Sequence, residues 1–267
     1  MRIFINGKKF DIDEFKLHTI KNKYFPEADI VIYNGFETVE NVTLVENDIL
    51  HFIKKGVLPS EDELESLISA RHTPYVHNKV KKAKVAVAGL GGLGSNIAIM
   101  LARTGIGKLL LVDFDIVEPS NLNRQCYYIG HLGMKKTEAM VEQIKNINPF
   151  IELETKCVRV EQNNIVEIFK DYKIVCEAFD KPEYKAMLVN QIMHHFPDTK
   201  VVASSGMAGY YRSNKIQTTH PFKNLFVCGD NENEAKAGQG LMAPRVNICA
   251  GHQANAILRL ILGLEDV

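Results

Sequence analysis

The sequence predicts an α/β protein: a doubly wound, mostly parallel sheet makes up its larger part, and a small α+β module precedes it. Three observations point there. A glycine-rich turn, Gly89-Leu90-Gly91-Gly92-Leu93-Gly94-Ser95, separates the apolar run Val85-Ala86-Val87-Ala88 from a stretch whose apolar residues, Ile97 with Leu101 and Ala98 with Ala102, recur at helical spacing. Beyond Arg124, helix-like and strand-like segments alternate, the pattern of a mostly parallel sheet covered on both faces. Residues 1 to 56 instead carry short period-two stretches broken by Asn-Gly turns.

Composition sets outer limits. The chain has 267 residues, 46% hydrophobic and 24% charged, enough for one medium α/β domain and a small companion. Its formal net charge is zero, so no global field recruits nucleic acid or an anionic membrane, and neither partner is expected. Cys126, Cys157, Cys176, Cys228 and Cys249 are odd in number and form no C-x-x-C pair, which argues against a disulfide framework and a four-thiolate zinc site. No apolar run has the length of a membrane span, and the start of the chain alternates, unlike a signal-peptide core. A cytoplasmic protein is expected.

In chain order, Ile3 and Ile5 alternate with polar neighbours up to Asn6-Gly7, and Phe10 with Ile12 resumes the pattern, a first hairpin. Residues 14 to 25 have Phe15, Leu17, Ile20 and Tyr24 at imperfect helical spacing before Pro26. Ile30 to Tyr33 and Ile49 to Ile53 supply two more strands. Leu58-Pro59 marks a joint, so the domains are expected over residues 1–57 and 58–267. Ser60-Glu61-Asp62-Glu63 is a capping-box sequence opening a helix, and Thr73-Pro74 opens another.

The glycine turn reads as a Rossmann-like nucleotide site. Gly89 permits the tight turn, Gly91 lets backbone approach a phosphate, Gly94 permits close helix packing, and the N–H groups opening the helix attract anions. Asp113 ends the next strand about twenty residues later, where an acidic side chain accepts hydrogen bonds from ribose hydroxyls. The pattern does not decide between a dinucleotide and a mononucleotide.

Beyond Arg124 the alternation assigns helices over 135–146, 163–169 and 182–196 and strands over 151–156, 173–177 and 199–204. Shorter strands are expected at Tyr210-Tyr211, 215–218 and 224–228, then a mobile loop over 229–244 and a closing helix over 245–262. His131, His194, His195, His220 and His252 lack ligand spacing and are expected to be structural.

The order hairpin, helix, strands, with Val31-Ile32-Tyr33-Asn34-Gly35 and the strand after Glu46-Asn47-Asp48, resembles the ThiS-type ubiquitin-like sulfur carriers, which implies a β-grasp module. A working carrier ends in a free Gly-Gly carboxylate, whereas this segment runs on through Lys54-Lys55-Gly56-Val57. The module is therefore not itself the acylated substrate. It either serves docking or dimer contacts or acts as a dead mimic in cis, competing for the carrier groove.

The glycine turn, Leu111-Val112-Asp113-Phe114-Asp115, Ser120-Asn121-Leu122-Asn123-Arg124-Gln125, Gly130 to Lys136 and Cys176-Glu177-Ala178-Phe179-Asp180 together resemble the adenylyltransferase family of ThiF, MoeB and the ubiquitin-activating enzymes. The resemblance implies ATP- and Mg²⁺-dependent adenylation of the C-terminal Gly-Gly carboxylate of a small ubiquitin-like sulfur carrier, ThiS-type in the first instance, by a homodimer. It places Gly89, Gly91, Gly92, Gly94, Asp113 and Asp115 around the nucleotide, with Asp113 on the ribose. Asn121, Arg124 and Lys136 are placed on the phosphates, Asp180 on magnesium, and Arg71 on the triphosphate of the neighbouring subunit. Relatives carry two C-x-x-C zinc pairs; here only isolated Cys228 and Cys249 stand in that part of the chain, and no zinc site is expected. Cys228 is the one candidate for a persulfide-linked conjugate, against the alternative of a packed thiol. Three other readings stay open: a molybdopterin-type carrier or another family substrate, an NAD-dependent oxidoreductase, and a non-catalytic binding protein.

Overall fold

The computed structural model describes residues 1–266, apart from the side chains of Ala70 and Pro74. The chain divides into two compact units, Met1–Asn78 and Lys79–Val267.

In the first unit, strands β1 (Arg2–Ile5), β2 (Lys8–Asp11), β3 (Ile30–Tyr33), β4 (Phe36–Glu37) and β5 (Ile49–Ile53) form a sheet in the order β2-β1-β5-β3-β4. β1 and β5 are parallel and the other pairs antiparallel, the β-grasp arrangement. Helix α1 (Leu17–Tyr24) contributes Leu17 and Ile20 to a core with Ile3, Ile5, Val31, Leu50 and Phe52. Asn6 and Gly7 have φ of 48° and 81°, the left-handed pair that a two-residue hairpin turn needs.

Two sequence expectations change here. The first helix begins at Leu17, because Phe15 accepts a backbone hydrogen bond from Leu44 and Lys16 bridges Thr43; Phe15 and Tyr24 are exposed. Strand β4 was not anticipated, since two residues after a turn carry no periodic signal. Helix α2 (Glu61–His72) starts with the expected capping box: Ser60 Oγ accepts from Glu63 N–H, and the Glu63 carboxylate accepts from Ser60 N–H at 2.9 Å. The Glu63 side chain also accepts from Asn6 Nδ2 at 3.0 Å, tying α2 to the first hairpin. Helix α3 (Pro74–Lys82) then leads into the second sheet.

The second unit contains strands β6 (Lys84–Ala88), β7 (Lys108–Val112), β8 (Glu152–Lys156), β9 (Ile174–Glu177), β10 (Lys200–Ser204), β11 (Gln217–Phe222) and β12 (Leu225–Gly229). They form one sheet in the order β11-β12-β10-β9-β6-β7-β8, parallel throughout except for the β11–β12 pair. On one face Ala86, Ala88, Leu110, Val112, Val175 and Val201 pack against helices α6 (Ile165–Phe169) and α7 (Pro182–His195). The period of two turns Val85, Val87, Leu109 and Leu111 to the other face, that of α4 (Gly92–Arg103), α5 (Lys136–Ile147) and α8 (Ala243–Leu262). Burial on both faces explains why these strands read as continuous apolar runs.

Tyr210-Tyr211 does not form a strand. The two residues lie in a turn with their rings stacked 6.0 Å apart, and the following strand begins only at Gln217, after a short 3₁₀ turn over Ser213–Lys215. The segment 229–244 is irregular, as expected, but anchored at several points: Asp230 N–H bonds Gly206 O, Ala208 N–H bonds Asn233 O, and Gly209 N–H bonds Gly240 O. Its main fastening is the buried pair Arg245–Asp230, in which Arg245 also donates to the carbonyls of Tyr211 and Arg212 at 2.8 and 2.9 Å. Burial pushes the Asp230 carboxyl up, but bonds from Asn233 and the Glu232 and Asn233 N–H groups, with Arg245, outweigh it and hold the pKa low. This fastening is therefore fully present above the carboxyl's ordinary value of 3.8 and is lost as acid protonates Asp230. Among the described residues no helix is long and apolar enough to cross a membrane.

Candidate active site

The sheet order locates the site before any side chain is considered. From β6 the chain moves outward through β7 and β8, then returns to the other side of β6 as β9. That reversal opens a crevice at the carboxyl ends of β6 and β9, the place where open α/β sheets take ligands. Gly89 follows β6 there, and Ala178 follows β9.

The two turns are in close contact. Gly89 has φ +93°, and a Cβ on it would lie 2.8 Å from Ala178 O. A Cβ on Gly94 would lie 1.8 Å from Gly89 O, so α4 approaches the turn as only glycine allows. Gly91 differs: nothing stands within 4 Å of where its Cβ would be. No side chain caps the N-terminus of α4, whose first-turn N–H groups remain available to an anion. An open glycine in front of uncapped amides is a cradle that fits a phosphate.

Around this cradle lie most of the residues singled out from the sequence. Asp113, at the end of β7 and 8% exposed, accepts from Leu90 N–H at 2.6 Å and from Asp115 N–H at 2.8 Å, so it braces the glycine turn. Each carboxylate oxygen keeps acceptor capacity for a ribose hydroxyl. Lys136 is the first residue of α5, where a cation opposes the helix dipole. Asp115 offsets this, accepting from Lys136 Nζ at 2.9 Å, and the Lys136 side chain is only 7% exposed.

Asn121 spends its side-chain oxygen on Glu118 N–H, forming the 3₁₀ turn Pro119–Asn121, and its carbonyl accepts from Arg124 and Gln125. Arg124 lies alongside the cradle, its Cγ 3.4 Å from the Cβ position of Gly92. Its Nη1 bonds Ser120 O and Asn123 Oδ1, while its Nε is buried with no partner. A buried orphan donor beside Gly92, the first residue of α4, fits an anionic ligand.

Asp180 stands just beyond β9, exposed, with no hydrogen bond or ion pair among the described residues. The N-cap of α7 is Lys181, so Asp180 does not cap the helix that its place before Pro182 suggests. Asp180 follows by two residues Ala178, whose carbonyl touches Gly89, and a carboxylate without a partner among the described residues suits magnesium, which takes one or two carboxylates plus phosphate oxygens. Among the described residues no group of three or more His, Cys, Asp or Glu could hold a metal. Arg71 belongs to the first unit and is exposed on α2.

Several contributors escaped sequence reasoning. Glu177, fully buried at the end of β9, accepts from Lys185 Nζ with both oxygens at 3.1 Å and from Phe179 N–H at 2.7 Å. Burial pushes its carboxyl up, against the pull of Lys185 and the Phe179 and Ser204 N–H groups. Tyr127 donates to Leu90 O at 2.9 Å, and Asn96 Nδ2 donates to Gly92 O and Arg124 O, tying the glycine turn to the 120s segment. Glu177 stands inside the motif Cys176 to Asp180, and Asn96 and Tyr127 stand one and two residues beyond the motifs that end at Ser95 and Gln125; that proximity was the available signal.

Cys228 is fully buried in β12, and burial raises its thiol to about 11; Cys249, whose Sγ bonds Cys228 O, is raised to about 12 for the same reason. Neither is a ready thiolate, so Cys228 is a packed thiol.

The ThiF family profile matches residues 66–267, and the ThiS-like ubiquitin profile matches residues 1–56. The chain is 31% identical over 193 residues to the adenylyltransferase and sulfurtransferase UBA4 of Candida glabrata, covering 70% of this chain and 44% of that one. It is 37% identical over 131 residues to the molybdopterin-synthase adenylyltransferase of Haemophilus influenzae, covering 49% and 52%. The chain thus spans about half the length, or less, of these curated relatives. Its fold matches the E. coli tRNA N6-threonylcarbamoyladenosine dehydratase TcdA in complex with ATP, with a TM-score of 0.69 at 23% identity over 78% of this chain and 98% of that one.

Proposed function

Because this chain belongs to the ThiF family, we propose that it is an adenylyltransferase that transfers AMP from ATP to the C-terminal Gly-Gly carboxylate of a ubiquitin-like sulfur carrier, ThiS-type at the finest level. What supports this reading is an open glycine turn at the sheet crevice with Arg124 beside Gly92, Lys136 paired with Asp115 next to the turn-bracing Asp113, and Asp180, without a partner among the described residues, two residues beyond the Ala178 that touches Gly89. In this reading the carrier carboxylate attacks the α-phosphorus, the bond to the β-phosphate bridging oxygen breaks, and pyrophosphate leaves. Negative charge grows on the bridging and terminal oxygens, where fixed cations favour the transition state over the ground state. No side-chain nucleophile is needed, since the acceptor brings its own, and positioning does most of the work.

The α4 amides and Gly91 would hold phosphate, Asp113 the ribose, and Arg124 and Lys136 the charge that develops; Asn121 would set the turn that presents Arg124. Asp180 would hold magnesium, which when bound neutralises phosphate charge. Arg71 would act across a homodimer. An NAD-dependent oxidoreductase would use the glycine turn and Asp113 but leave Arg124, Lys136 and Asp180 without a common task. Purified ThiS-type and molybdopterin-type carriers incubated side by side with ATP and Mg²⁺ test the substrate: the ThiS-type carrier is expected to gain the mass of one AMP. Preferential adenylation of the other carrier would redirect the assignment.

For the N-terminal module we propose a structural role. Helix α2, which follows the module, is fastened to its β1–β2 hairpin, and a Cβ on Gly7 would lie 3.2 Å from Asp62 O and Ser66 Cβ. Deleting residues 1–57 should cause dissociation or insolubility with no gain in carrier affinity. A lower carrier KM with the oligomer intact would instead establish competition in cis.

A further inference from the structure

The fully buried Glu177 and its partner Lys185 have no part in the chemistry described above, yet they surround the segment that carries Asp180. Glu177 folds back on its own backbone: Oε1 accepts from Phe179 N–H at 2.7 Å, two residues on. Lys185 Nζ holds both carboxylate oxygens at 3.1 Å and donates to Ser204 Oγ at 2.9 Å, so the rotamer of Glu177 is fixed from α7 and β10 together. The main chain of Glu177 accepts from Gln253 Nε2 of α8 at 3.0 Å. Ala178 N–H bonds Ala88 O at 2.9 Å, and Ala178 O abuts Gly89. Residues 177, 178 and 179 are thus each held, and the next residue, Asp180, carries the free carboxylate.

A carboxylate and an ammonium taken out of water are costly unless matched, and hydrophobic residues would stabilise the same space as well or better. What the charged couple adds is directionality: three donors converge on one carboxylate at the sheet's ligand-binding edge.

Resting on the reading of Asp180 as the metal-holding group, we propose that the Glu177–Lys185 couple is a positioning device, which fixes the β9–α7 turn so that Asp180 is set beside the glycine cradle. Neither residue touches ATP or the carrier; both act through Asp180. Positioning groups behind a metal ligand typically account for about 10–100-fold in affinity or activity.

The test compares Lys185→Met, Lys185→Arg and Asp180→Ala in carrier-dependent exchange of labelled pyrophosphate into ATP, with Mg²⁺ titrated. Lys185→Met should lose about 10–100-fold in kcat and require more Mg²⁺ for half-maximal rate, with the KM for ATP nearly unchanged. Lys185→Arg, which keeps the charge and two donors, should recover most of the loss. In the Asp180→Ala background Lys185→Met should add almost nothing, because both act through one carboxylate.

If Lys185→Met does not fold, the double variant Glu177→Gln/Lys185→Gln removes both charges, leaves no unpaired buried ion, and should show the same kcat and Mg²⁺ signature. A purely structural couple would lower thermal stability and leave the Mg²⁺ dependence of the folded enzyme unmoved, which overturns the proposal while the role of Asp180 stands. Undiminished exchange by Asp180→Ala overturns the reading of Asp180 and the proposal with it.

Discussion

Replacing Asp180 by alanine is expected to slow carrier-dependent ATP–pyrophosphate exchange by about 10²–10³ while leaving nucleotide affinity within a few-fold, since removal of one well-placed electrostatic group costs that much in rate. Asp180 makes no contact that supports the fold: it is exposed, forms no hydrogen bond or ion pair among the described residues, and leaves the capping of α7 to its neighbour. The thermal midpoint of the variant should therefore match that of the parent. Arg124→Ala provides the contrast, because a cation beside the cradle should matter to ground-state binding as well as turnover, and both should fall. An Asp180→Ala enzyme with normal exchange, or one that loses ATP binding and rate in parallel, would remove Asp180 from the transition state.

The second large effect is expected within the glycine turn, where two positions 3 residues apart should both lose ATP binding but differ in stability. At Gly94 a methyl group would sit 1.8 Å from Gly89 O, and that atom is backbone, so α4 or the turn must move. Overpacking of this kind costs roughly 1–3 kcal/mol, occasionally more. Gly94→Ala should lower the melting temperature by several degrees and abolish ATP binding, since the displaced amides are those that would receive phosphate. At Gly91 φ is −75° and ψ −148°, just outside the usual extended range, and nothing lies within 4 Å, so an alanine methyl meets no atom and needs only a small backbone adjustment. Gly91→Ala should melt with the parent yet bind ATP poorly, its methyl group occupying space meant for the ligand. Differential scanning fluorimetry with and without ATP separates the two. Equal ATP stabilisation of Gly91→Ala and the parent would place the phosphate elsewhere.

The alternation of buried strands and amphipathic helices was readable because burial on both faces leaves continuous apolar runs such as Leu109 to Val112, and helices leave period 3.6. The site motifs were readable where glycine geometry demands particular residues, as at Gly89 and Gly94. Less was visible wherever structure rests on pairs distant in sequence. Arg245 and Asp230 are 15 residues apart and read separately as a helix start and a loop. Glu177 read as a strand end because nothing local announces Lys185. Tyr210 and Tyr211 suggested a strand by residue type, yet neither lies in one: Tyr211 O accepts from Arg245 Nη1 at 2.8 Å, and the Arg245 guanidinium stands 5.6 Å from the Tyr211 ring centroid. Asp180 stands two residues before Pro182, where caps are common, yet Lys181 is the N-cap of α7.

Exchange of labelled pyrophosphate into ATP, measured with the full chain and purified carrier, addresses adenylation at this crevice most directly, because label enters ATP only if AMP transfer is reversible at the site. Exchange that requires the carrier and its Gly-Gly end, and that fails with Asp180→Ala, is the expected result. Absence of exchange with every carrier, together with tight binding of NAD, would contradict it.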